Sequence, residues 1–348
     1  MEPLYHGHAA MRGQVGVVIP AWFAPDVPVD DAARLLLTTL ADSPACLSPL
    51  HVAVVVDDSE VARRAAALAR EQLAREWGEP FGVLDLTQNR GKGGAVMAGT
   101  ELLLGRYPGL RWIGVRDADG DHLIDDLPHL FRAGEQLAAE YPQRPATVIG
   151  SRASVHAPLG WLRGEYELLL NEVLVEAVAY ALGHRGEVWD TRFLIRRAPD
   201  LQSGYKLYSR PAAERAAAAL DGVAATHPQL PLQRTGMEVV PFVSLALAGG
   251  LFAEVERKAY YDQPVTSYGD IDFSRFYGTK LAWTLQTCGL PVPAAALLFD
   301  GAAVRRPLFT DPAGRAGILA LRRYVLDYLT AGSLSPDVAA EPRARRFL

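Results

Sequence analysis

The chain has 348 residues, of which 49% are hydrophobic and 22% are charged, with a formal net charge of −5 at pH 7. A chain of this size and composition can bury a substantial core, so it is expected to be globular. It contains no basic block of the kind that binds nucleic acid, and we therefore expect no nucleic-acid partner.

Cysteines and apolar stretches indicate the cellular context. Cys46 and Cys288 lie far apart and without metal-ligand spacing, which favours a reducing cytoplasm over a disulfide framework. The N-terminus has no apolar signal core, and the most apolar stretch, 239–252, is shorter than the ~20 residues that a bilayer requires. We predict a cytoplasmic protein without a transmembrane segment, for which peripheral contact with the inner face of the membrane stays open.

Short apolar runs alternate with helical patterns through the first half, as in α/β folds with a largely parallel sheet. The predicted strands are 15–20, 51–56, 81–86, 111–115 and 146–150, and the predicted helices are 30–40, 60–77, 94–107 and 127–141. The second half is predicted to contain helices at 159–182, 214–220 and 238–249, an irregular segment at 199–210, a strand at 252–257 and a largely helical region at 276–329. Residues 336–348 are predicted to be loosely ordered.

A pair of carboxylates ends the fourth predicted strand. Asp117 and Asp119 flank Ala118, and two carboxylates this close can reach one cation if the backbone turns there. Mg²⁺ and Mn²⁺ prefer oxygen ligands, and such an ion would neutralise a diphosphate leaving group. The alternative is a solvated acidic turn. For the neighbouring Asp121 and His122, we favour a surface turn over a role as further ligands.

Two more polar motifs follow the second and third predicted strands. Residues 89–95, Asn-Arg-Gly-Lys-Gly-Gly-Ala, open a helix, and glycines there let backbone amides approach phosphate oxygens; a tight strand-to-helix turn is the alternative. Asp57 can accept hydrogen bonds from a base or ribose, whereas Asp58 or Ser59 can cap the following helix. Because ligands of open parallel sheets bind beyond the carboxyl ends of strands, these motifs are expected at one edge of the sheet.

In order and spacing over roughly residues 15–260, the chain resembles glycosyltransferases of the GT-A fold, specifically family 2 with its dolichyl- and polyprenyl-phosphate sugar transferases. The resemblance rests on five segments: Val18-Ile19-Pro20-Ala21, Asp57-Asp58-Ser59, Asn89-Arg90-Gly91-Lys92-Gly93, Asp117-Ala118-Asp119 and Asp200-Leu201-Gln202-Ser203-Gly204-Tyr205-Lys206-Leu207-Tyr208. It implies a Rossmann-like, mostly parallel central sheet flanked by helices. We expect the GT-A domain to span residues 1–260 and a mostly helical appendage and tail to span 261–348.

The resemblance also implies roles for individual residues. A nucleoside-diphosphate sugar would be bound by ten donor-side residues: Pro20, Ala21, Asp57, Asn89, Gly91, Lys92, Gly93, Asp117, Ala118 and Asp119. The metal, Mg²⁺ or Mn²⁺, would be held by Asp117 and Asp119. The acceptor side would include Ser203, Gly204 and Tyr205. Asp200 and Glu238 would be catalytic, with Glu238 as the general base in members that glycosylate a hydroxyl; a charged helix N-terminus is the alternative for Glu238.

The acceptor stays open between a polyprenyl phosphate and a small polar molecule. Residues 22–26 depart from the family pattern, so either Asp26 replaces the usual Glu or that donor contact is lost. Arg163, Arg196 and Arg197 are candidates for clamping an acceptor phosphate, although a surface or ion-paired role is favoured.

The resemblance leads us to expect inversion at the anomeric carbon. One alternative is a retaining transferase that acts on a small phosphorylated acceptor such as a glycerate. Another is a degenerate protein that binds nucleotide sugars without turnover. The sequence leaves the oligomeric state open, with a homodimer as one option.

Overall fold

The computed structural model of the protein describes residues 6–258 and 272–331. The described strands are β1 (Val15–Ala21), β2 (Val52–Asp57), β3 (Gly82–Leu86), β4 (Trp112–Val115), β5 (Ala146–Arg152), β6 (Lys206–Ser209) and β7 (Leu251–Arg257). The described helices are α1 (His6–Arg12), α2 (Val29–Leu40), α3 (Glu60–Trp77), α4 (Gly91–Arg106), α5 (Leu127–Glu140), α6 (His156–Leu159), α7 (Trp161–Gly183), α8 (Arg210–Thr226), α9 (Leu232–Thr235), α10 (Val240–Ala246), α11 (Phe273–Thr287), α12 (Val292–Ala303) and α13 (Pro312–Ala331).

These strands form one sheet in the order β3-β2-β1-β4-β6-β5-β7. Neighbouring strands are parallel except at β6, which runs antiparallel to both β4 and β5. The register places Val115 at the end of β4 opposite Lys206 at the start of β6. The segment before β6 therefore lies beside the residues that follow β4. The predicted α/β fold with a mostly parallel sheet is confirmed.

Two hydrophobic clusters cover the two faces of the sheet. Along β1, Val18 belongs to one cluster while Val17 and Ile19 belong to the other, and β2 alternates in the same way. One cluster includes side chains of α2, α3 and α5, and the other includes side chains of α4, α7, α8 and the C-terminal helices. Strands that are buried on both faces have continuous apolar sequences, which is why these runs could be identified from the sequence.

Helix ends coincide with capping groups in the sequence. The Ser59 hydroxyl accepts a hydrogen bond from the Ala62 amide (3.2 Å) at the start of α3, as expected of an N-cap. Gly78 ends the same helix with φ of 74°, the left-handed conformation that favours glycine. Helix α4 begins at Gly91, three residues before the predicted start at Gly94, so the glycine-rich segment forms its first turn.

The segment predicted as irregular, 199–210, contains β6, so the prediction was wrong there. A four-residue strand that begins with a lysine shows too little alternation to be identified from sequence. Within the fold, the Lys206 ammonium is buried and donates to the carbonyl oxygens of Leu201 (2.9 Å) and Ser203. These hydrogen bonds compensate the burial of a charged group, which the local sequence does not reveal.

Helix α10 is shorter than the helix predicted at 238–249. Pro241 occupies its first turn, where the missing N–H group needs no partner within the helix. The chain leaves the helix before Gly249, whose φ is 74°. Glu238 therefore lies just before α10.

The helical region predicted near the C-terminus is confirmed by α11, α12 and α13. Helix α11 packs against α7 and α13, and the rings of Tyr166 (α7) and Tyr277 (α11) are stacked with centroids 5.8 Å apart. Leu281 is fully buried in the cluster that also contains strand residues. The separation of 261–348 as an appendage stays a prediction, and residues 336–348 lie outside the described part of the chain.

In the two described ranges, no helix combines the length and the apolar character that a bilayer crossing requires. Helix α7 has 23 residues, but charged side chains, including Arg163, Glu165 and Glu167, interrupt its apolar sequence.

Candidate active site at the carboxyl edge of the sheet

A cleft of about 490 Å³ opens beyond the carboxyl ends of β1, β2 and β4. Its lining contains nine of the ten predicted donor-side residues: Pro20, Ala21, Asp57, Asn89, Gly91, Lys92, Asp117, Ala118 and Asp119. The tenth, Gly93, faces α9, where a Cβ atom would collide with the carbonyl oxygen of Gln233. The fold thus brings together motifs that are separate in the sequence, and the roles of these residues stay predictions.

The carboxylates of Asp117 and Asp119 form the acidic part of the cleft. Both residues are half-buried. Burial, together with the negative charge of Asp117, raises the pKa of Asp119 to about 6. The Asp121 amide donates to Asp119 Oδ1 (3.1 Å) and so fixes the turn after β4. A pair of carboxylates in this arrangement gains from the approach of a cation.

Lys92 lies between two acidic residues of the cleft. Its Nζ is 2.8 Å from Asp117 Oδ1 and 2.9 Å from Glu238 Oε1. Burial alone would raise the pKa of Glu238. Three ammonium groups outweigh that effect and lower the pKa instead: Lys92, Lys280 and Lys206. Glu238 is therefore an ionised, ion-paired carboxylate of low basicity.

His122 lies directly behind Asp117. Its Nδ1 accepts a hydrogen bond from the Asp117 amide (2.8 Å). The proton of the neutral ring is therefore on Nε2, which is 3.8 Å from Asp117 Oδ2. Burial, with the positive charge of Arg257, lowers the pKa of His122 well below 6.5, so the ring is neutral at pH 7. The ring also stacks on Tyr205 with centroids 4.9 Å apart, and these contacts fix the backbone at Asp117.

The surface turn predicted for Asp121 and His122 was wrong, because both residues are buried. The Asp121 carboxylate forms an ion pair with Arg257 of β7 (3.0 Å), a partner 136 positions away that local sequence cannot reveal. Arg116 is also buried, and its Nε donates to the His122 carbonyl oxygen (3.0 Å). Two buried arginines therefore hold the loop that carries the acidic pair.

Asp57 lines the cleft and also binds the backbone of the next motif. Its Oδ1 accepts a hydrogen bond from the Arg90 amide (2.7 Å), and burial raises its pKa. The Ser59 hydroxyl caps α3 and donates to the Phe23 carbonyl oxygen (2.8 Å). Capping is thus confirmed for Ser59, while Asp57 has the position expected of a ligand-binding residue.

Two glycines permit close approaches around Lys92. A Cβ atom on Gly204 would overlap the Asp117 carboxylate and lie 2.9 Å from Lys92 Nζ. Gly91 has φ of 71°, and a Cβ there would lie 2.5 Å from the Cα of Arg234. Neither position accepts a side chain unless its neighbours move.

Three of the five residues predicted for catalysis and the acceptor side lie behind the cleft wall: Asp200, Ser203 and Tyr205. The other two, Gly204 and Glu238, line the cleft. The Ser203 hydroxyl donates to the Gly150 carbonyl oxygen (2.6 Å), which ties the segment before β6 to β5. These buried residues can therefore shape the cleft, although they do not line it.

Asp200 orients Arg152, a cleft residue that the sequence predictions omitted. One carboxylate oxygen of Asp200 accepts hydrogen bonds from the Arg152 amide (3.0 Å) and Nε (2.8 Å), and the other accepts from Nη2 (2.6 Å). Burial would raise the pKa of Asp200, but the charge and hydrogen bonds of Arg152 lower it. Arg152 ends β5 at the same sheet edge as Asp57 and Asp117, so its position after an apolar strand was a usable signal.

Other charged residues reach the cleft from helices in the second half of the chain. Arg234 of α9 donates to the Asn89 carbonyl oxygen (2.6 Å). Lys280 of α11 is buried in the cleft wall. Arg163 pairs with Glu167 (3.1 Å), as the favoured ion-paired interpretation predicted, and also lines the cleft.

Three further candidates lie outside the cleft lining: Asp26, Arg196 and Arg197. Asp26 is exposed. Arg196 donates to the Arg152 carbonyl oxygen (2.6 Å), and Arg197 forms an exposed ion pair with Glu176.

The acidic pair fits a divalent cation that takes part of its ligands from a substrate. Across residues 6–258 and 272–331, no group of three or more His, Cys, Asp and Glu side chains is arranged to hold a metal. Asp117 and Asp119 supply two carboxylates, which matches Mg²⁺ sites that phosphate oxygens and water complete. These are the two residues that would hold such an ion.

The sheet, its antiparallel β6 and the acidic pair at its carboxyl edge define an α/β protein of the GT-A class. The family model for glycosyl transferase family 2 matches residues 17–190. The chain therefore belongs to glycosyl transferase family 2, and the predicted family is confirmed. The match includes Asp57, Lys92 and Asp119 but ends before Glu238 and Lys280.

Two relatives carry the name dolichyl-phosphate beta-glucosyltransferase. The protein from Drosophila melanogaster is 32% identical over 165 residues, which cover 47% of this chain and 44% of the relative. The protein from Saccharomyces cerevisiae is 28% identical over 209 residues, which cover 57% of this chain and 55% of the relative. The chain thus spans about half the length of the curated relatives that it matches.

Proposed function

We propose that the protein transfers a sugar from a nucleoside diphosphate to the phosphate group of a lipid acceptor, with inversion at the anomeric carbon. The observation that carries this proposal is the convergence of Asp117, Asp119 and Lys92 in one cleft beside Asp57 of the neighbouring strand. The names of the two relatives support a glucosyl group as the sugar and a dolichyl-type phosphate as the acceptor.

The charged and polar side chains of the cleft suggest which groups bind each part of the donor. Asp57 and the backbone around Asn89 provide hydrogen-bonding groups for the nucleoside, while Lys92 supplies a positive charge for the diphosphate. Asp117 and Asp119 would hold Mg²⁺ or Mn²⁺, which would neutralise the charge that develops on the departing diphosphate.

The state of Glu238 supports a phosphate acceptor over a hydroxyl acceptor. A general base works best when its pKa is near the working pH. The pKa of Glu238 is instead lowered, and its Oε1 is 2.9 Å from Lys92 Nζ. A phosphate monoester is ionised at neutral pH, with a second pKa of about 6, and needs no base.

The proposed reaction is a single displacement. An oxygen of the acceptor phosphate forms a bond to the anomeric carbon, and the bond from that carbon to the diphosphate oxygen breaks. The bonding electrons leave with the nucleoside diphosphate, so the products are a glycosyl phosphodiester and the free nucleotide. No proton has to be removed from the acceptor, which leaves Lys92 and Glu238 as positioning charges.

The test measures nucleoside diphosphate release from a panel of nucleoside diphosphate glucoses with farnesyl phosphate as acceptor. Activity is expected with Mg²⁺ or Mn²⁺ and should disappear with EDTA. Asp119→Asn should lower kcat/KM by about 100-fold or more, as for other residues that stabilise developing charge. The control is Asp125→Asn, because Asp125 is an exposed carboxylate of the same loop.

Undiminished, metal-independent turnover by Asp119→Asn would overturn the assignment of the acidic pair. Donor binding in a thermal-shift assay without turnover for any acceptor would instead favour a binding protein.

A further inference from the structure

The side chain of Lys280 places a buried ammonium group in the cleft wall. The proposed reaction gives this group no role. It lies on α11, outside the part of the chain that the family model matches. The residue is 2% exposed, and its Nζ lies 3.9 Å from the centre of the Phe276 ring. Phe276 and Tyr277 line the same wall, so the ammonium is bordered by aromatic surface.

The neighbouring carboxylates form their ion pairs with other cations. Glu238 pairs with Lys92 (2.9 Å), and Glu167 pairs with both Arg152 (2.8 Å) and Arg163 (3.1 Å). In the described ranges, no carboxylate lies within ion-pair distance of Lys280. A charged group buried in this way is costly unless a ligand pairs with it.

The same wall carries two arginines that are paired with carboxylates. Arg152 pairs with Glu167 and Asp200, and Arg163 pairs with Glu167, whereas Lys280 forms no ion pair with a carboxylate of the described ranges. Lys280 and Arg163 come from α11 and α7, whereas the acidic pair follows β4.

Lysine is itself unusual at this position. The chain has four lysines among its 35 Lys and Arg residues, so its composition strongly favours arginine. Yet three of these four lysines, Lys92, Lys206 and Lys280, lie inside the fold near Glu238 and lower its pKa. An ammonium is a compact charge that can meet a single phosphate oxygen, unlike the planar guanidinium fork.

We propose that Lys280, with Arg163 beside it, binds the anionic phosphate monoester of the acceptor at the wall between α7 and α11. The assignment rests on the proposed function and extends it by locating the acceptor subsite. The chemistry is shared by a lipid phosphate and a small phosphorylated molecule. Phe276 is half-buried and lines the same cleft, where its ring fits the first carbon atoms of a lipid chain.

The experiment measures equilibrium binding of farnesyl phosphate, farnesol and 3-phosphoglycerate by calorimetry, so its result does not depend on turnover. Lys280→Met should weaken farnesyl phosphate binding by about 10- to 100-fold, the effect of losing a hydrogen bond to a charged group. Farnesol binding should be unchanged, and nucleotide binding should stay within twofold. Arg275→Met is the matched control, because Arg275 is an exposed cation of the same helix outside the cleft lining.

Equal farnesyl phosphate affinity in Lys280→Met and wild type would overturn the assignment even if sugar transfer is observed. Failure of the wild type to bind either phosphate compound would overturn it as well. Binding of 3-phosphoglycerate in preference to farnesyl phosphate would support the anion site and identify a small acceptor. If Lys280→Met does not fold, Lys280→Gln provides the same comparison with a polar side chain.

Discussion

At the scale of single residues, the geometry of the acidic pair depends on a position that has no side chain. Gly204 lies directly against the Asp117 carboxylate, while His122 holds the Asp117 amide from the other side (2.8 Å). Lys92 Nζ then lies 2.8 Å from Asp117 Oδ1. The carboxylate is therefore fixed by three neighbours, and the addition of one methyl group is enough to move it.

Gly204→Ala is expected to lower kcat/KM for sugar transfer by about 100-fold, because displacement of a reacting group by about 1 Å has an effect of that size. The new Cβ would overlap Asp117 and lie 2.9 Å from Lys92 Nζ. Steady-state nucleotide release measures the effect. In Gly105→Ala, the control, the added Cβ meets nothing within 4 Å. Equal activity of the two variants would contradict the proposed constraint.

Lys280→Met is expected to stabilise the fold at pH 7. Burial lowers the pKa of Lys280 to about 8, although the charges of Glu238 and Glu167 oppose this shift; an unfolded lysine has a pKa of about 10.4. Below pH 8 the ammonium is charged in both states, so its destabilising contribution is fully present. As the pH rises from 8 to about 10.4, the folded state loses the proton first and the contribution disappears.

Urea denaturation at pH 7 should therefore show a free energy of unfolding about 1–3 kcal/mol higher for Lys280→Met than for the wild type. This range already allows for the loss of the contact between the ammonium and the Phe276 ring. The difference should shrink toward zero by pH 10. Arg275→Met should change stability by less than about 0.5 kcal/mol. A less stable Lys280→Met at pH 7 would indicate a structural role for the lysine.

At the scale of secondary-structure elements, the sequence correctly predicted those features that depend on residues close together in the chain. The bounds of α3 were predicted correctly because Ser59 and Gly78 mark its ends. Asp57 and Asp117 could be placed at one sheet edge because parallel strands end together. The four-residue β6 has no comparable signal, since it exists through pairing with β4 and β5.

Long-range partners explain the remaining differences. Asp121 was expected at the surface, but Arg257 of β7 pairs with it inside the fold. The contribution of Lys280 to the cleft depends on how α11 packs against α7, which no short stretch of sequence encodes. The sequence therefore predicted which residues meet at the ends of neighbouring strands better than which residues reach the cleft from distant helices.

Strand β7 also fixes the segment that precedes β6. The Glu254 carboxylate is buried and accepts hydrogen bonds from the amides of Ile195 (2.9 Å), Arg196 (3.0 Å) and Asp200 (2.9 Å). Asp200 in turn holds Arg152 in the cleft wall. A single carboxylate on a strand thus sets the backbone of the segment that orients Arg152.

Glu254→Gln should lower the free energy of unfolding by about 2–4 kcal/mol, because an amide nitrogen cannot accept and at least one buried N–H loses its partner. Glu256→Gln is the matched control on the same strand, since Glu256 is exposed and should change stability by less than about 0.5 kcal/mol. Chemical denaturation measures both variants. A similar loss in the control, or none in Glu254→Gln, would contradict the role of these hydrogen bonds.

At the scale of the whole molecule, the cleft is shared by the sheet and the C-terminal helices. The residues predicted to bind the donor follow strands, whereas Phe276, Tyr277 and Lys280 come from α11. One hydrophobic cluster contains strand residues such as Val18 together with buried residues of α11 such as Leu281. A continuous core of this kind predicts that the described helices after residue 272 unfold together with the sheet.

Differential scanning calorimetry should therefore show one cooperative transition for the whole chain. Leu281→Ala should shift that transition to lower temperature as a unit, with a loss of about 2–5 kcal/mol, because truncation of a fully buried leucine leaves a cavity. Leu297→Ala is the control, since Leu297 of α12 is 51% exposed. If α11 to α13 formed an independent unit, Leu281→Ala would split the transition and leave the sheet's melting temperature unchanged. A shift of the whole transition would instead establish that the sheet and the wall carrying Lys280 fold as one cooperative structure.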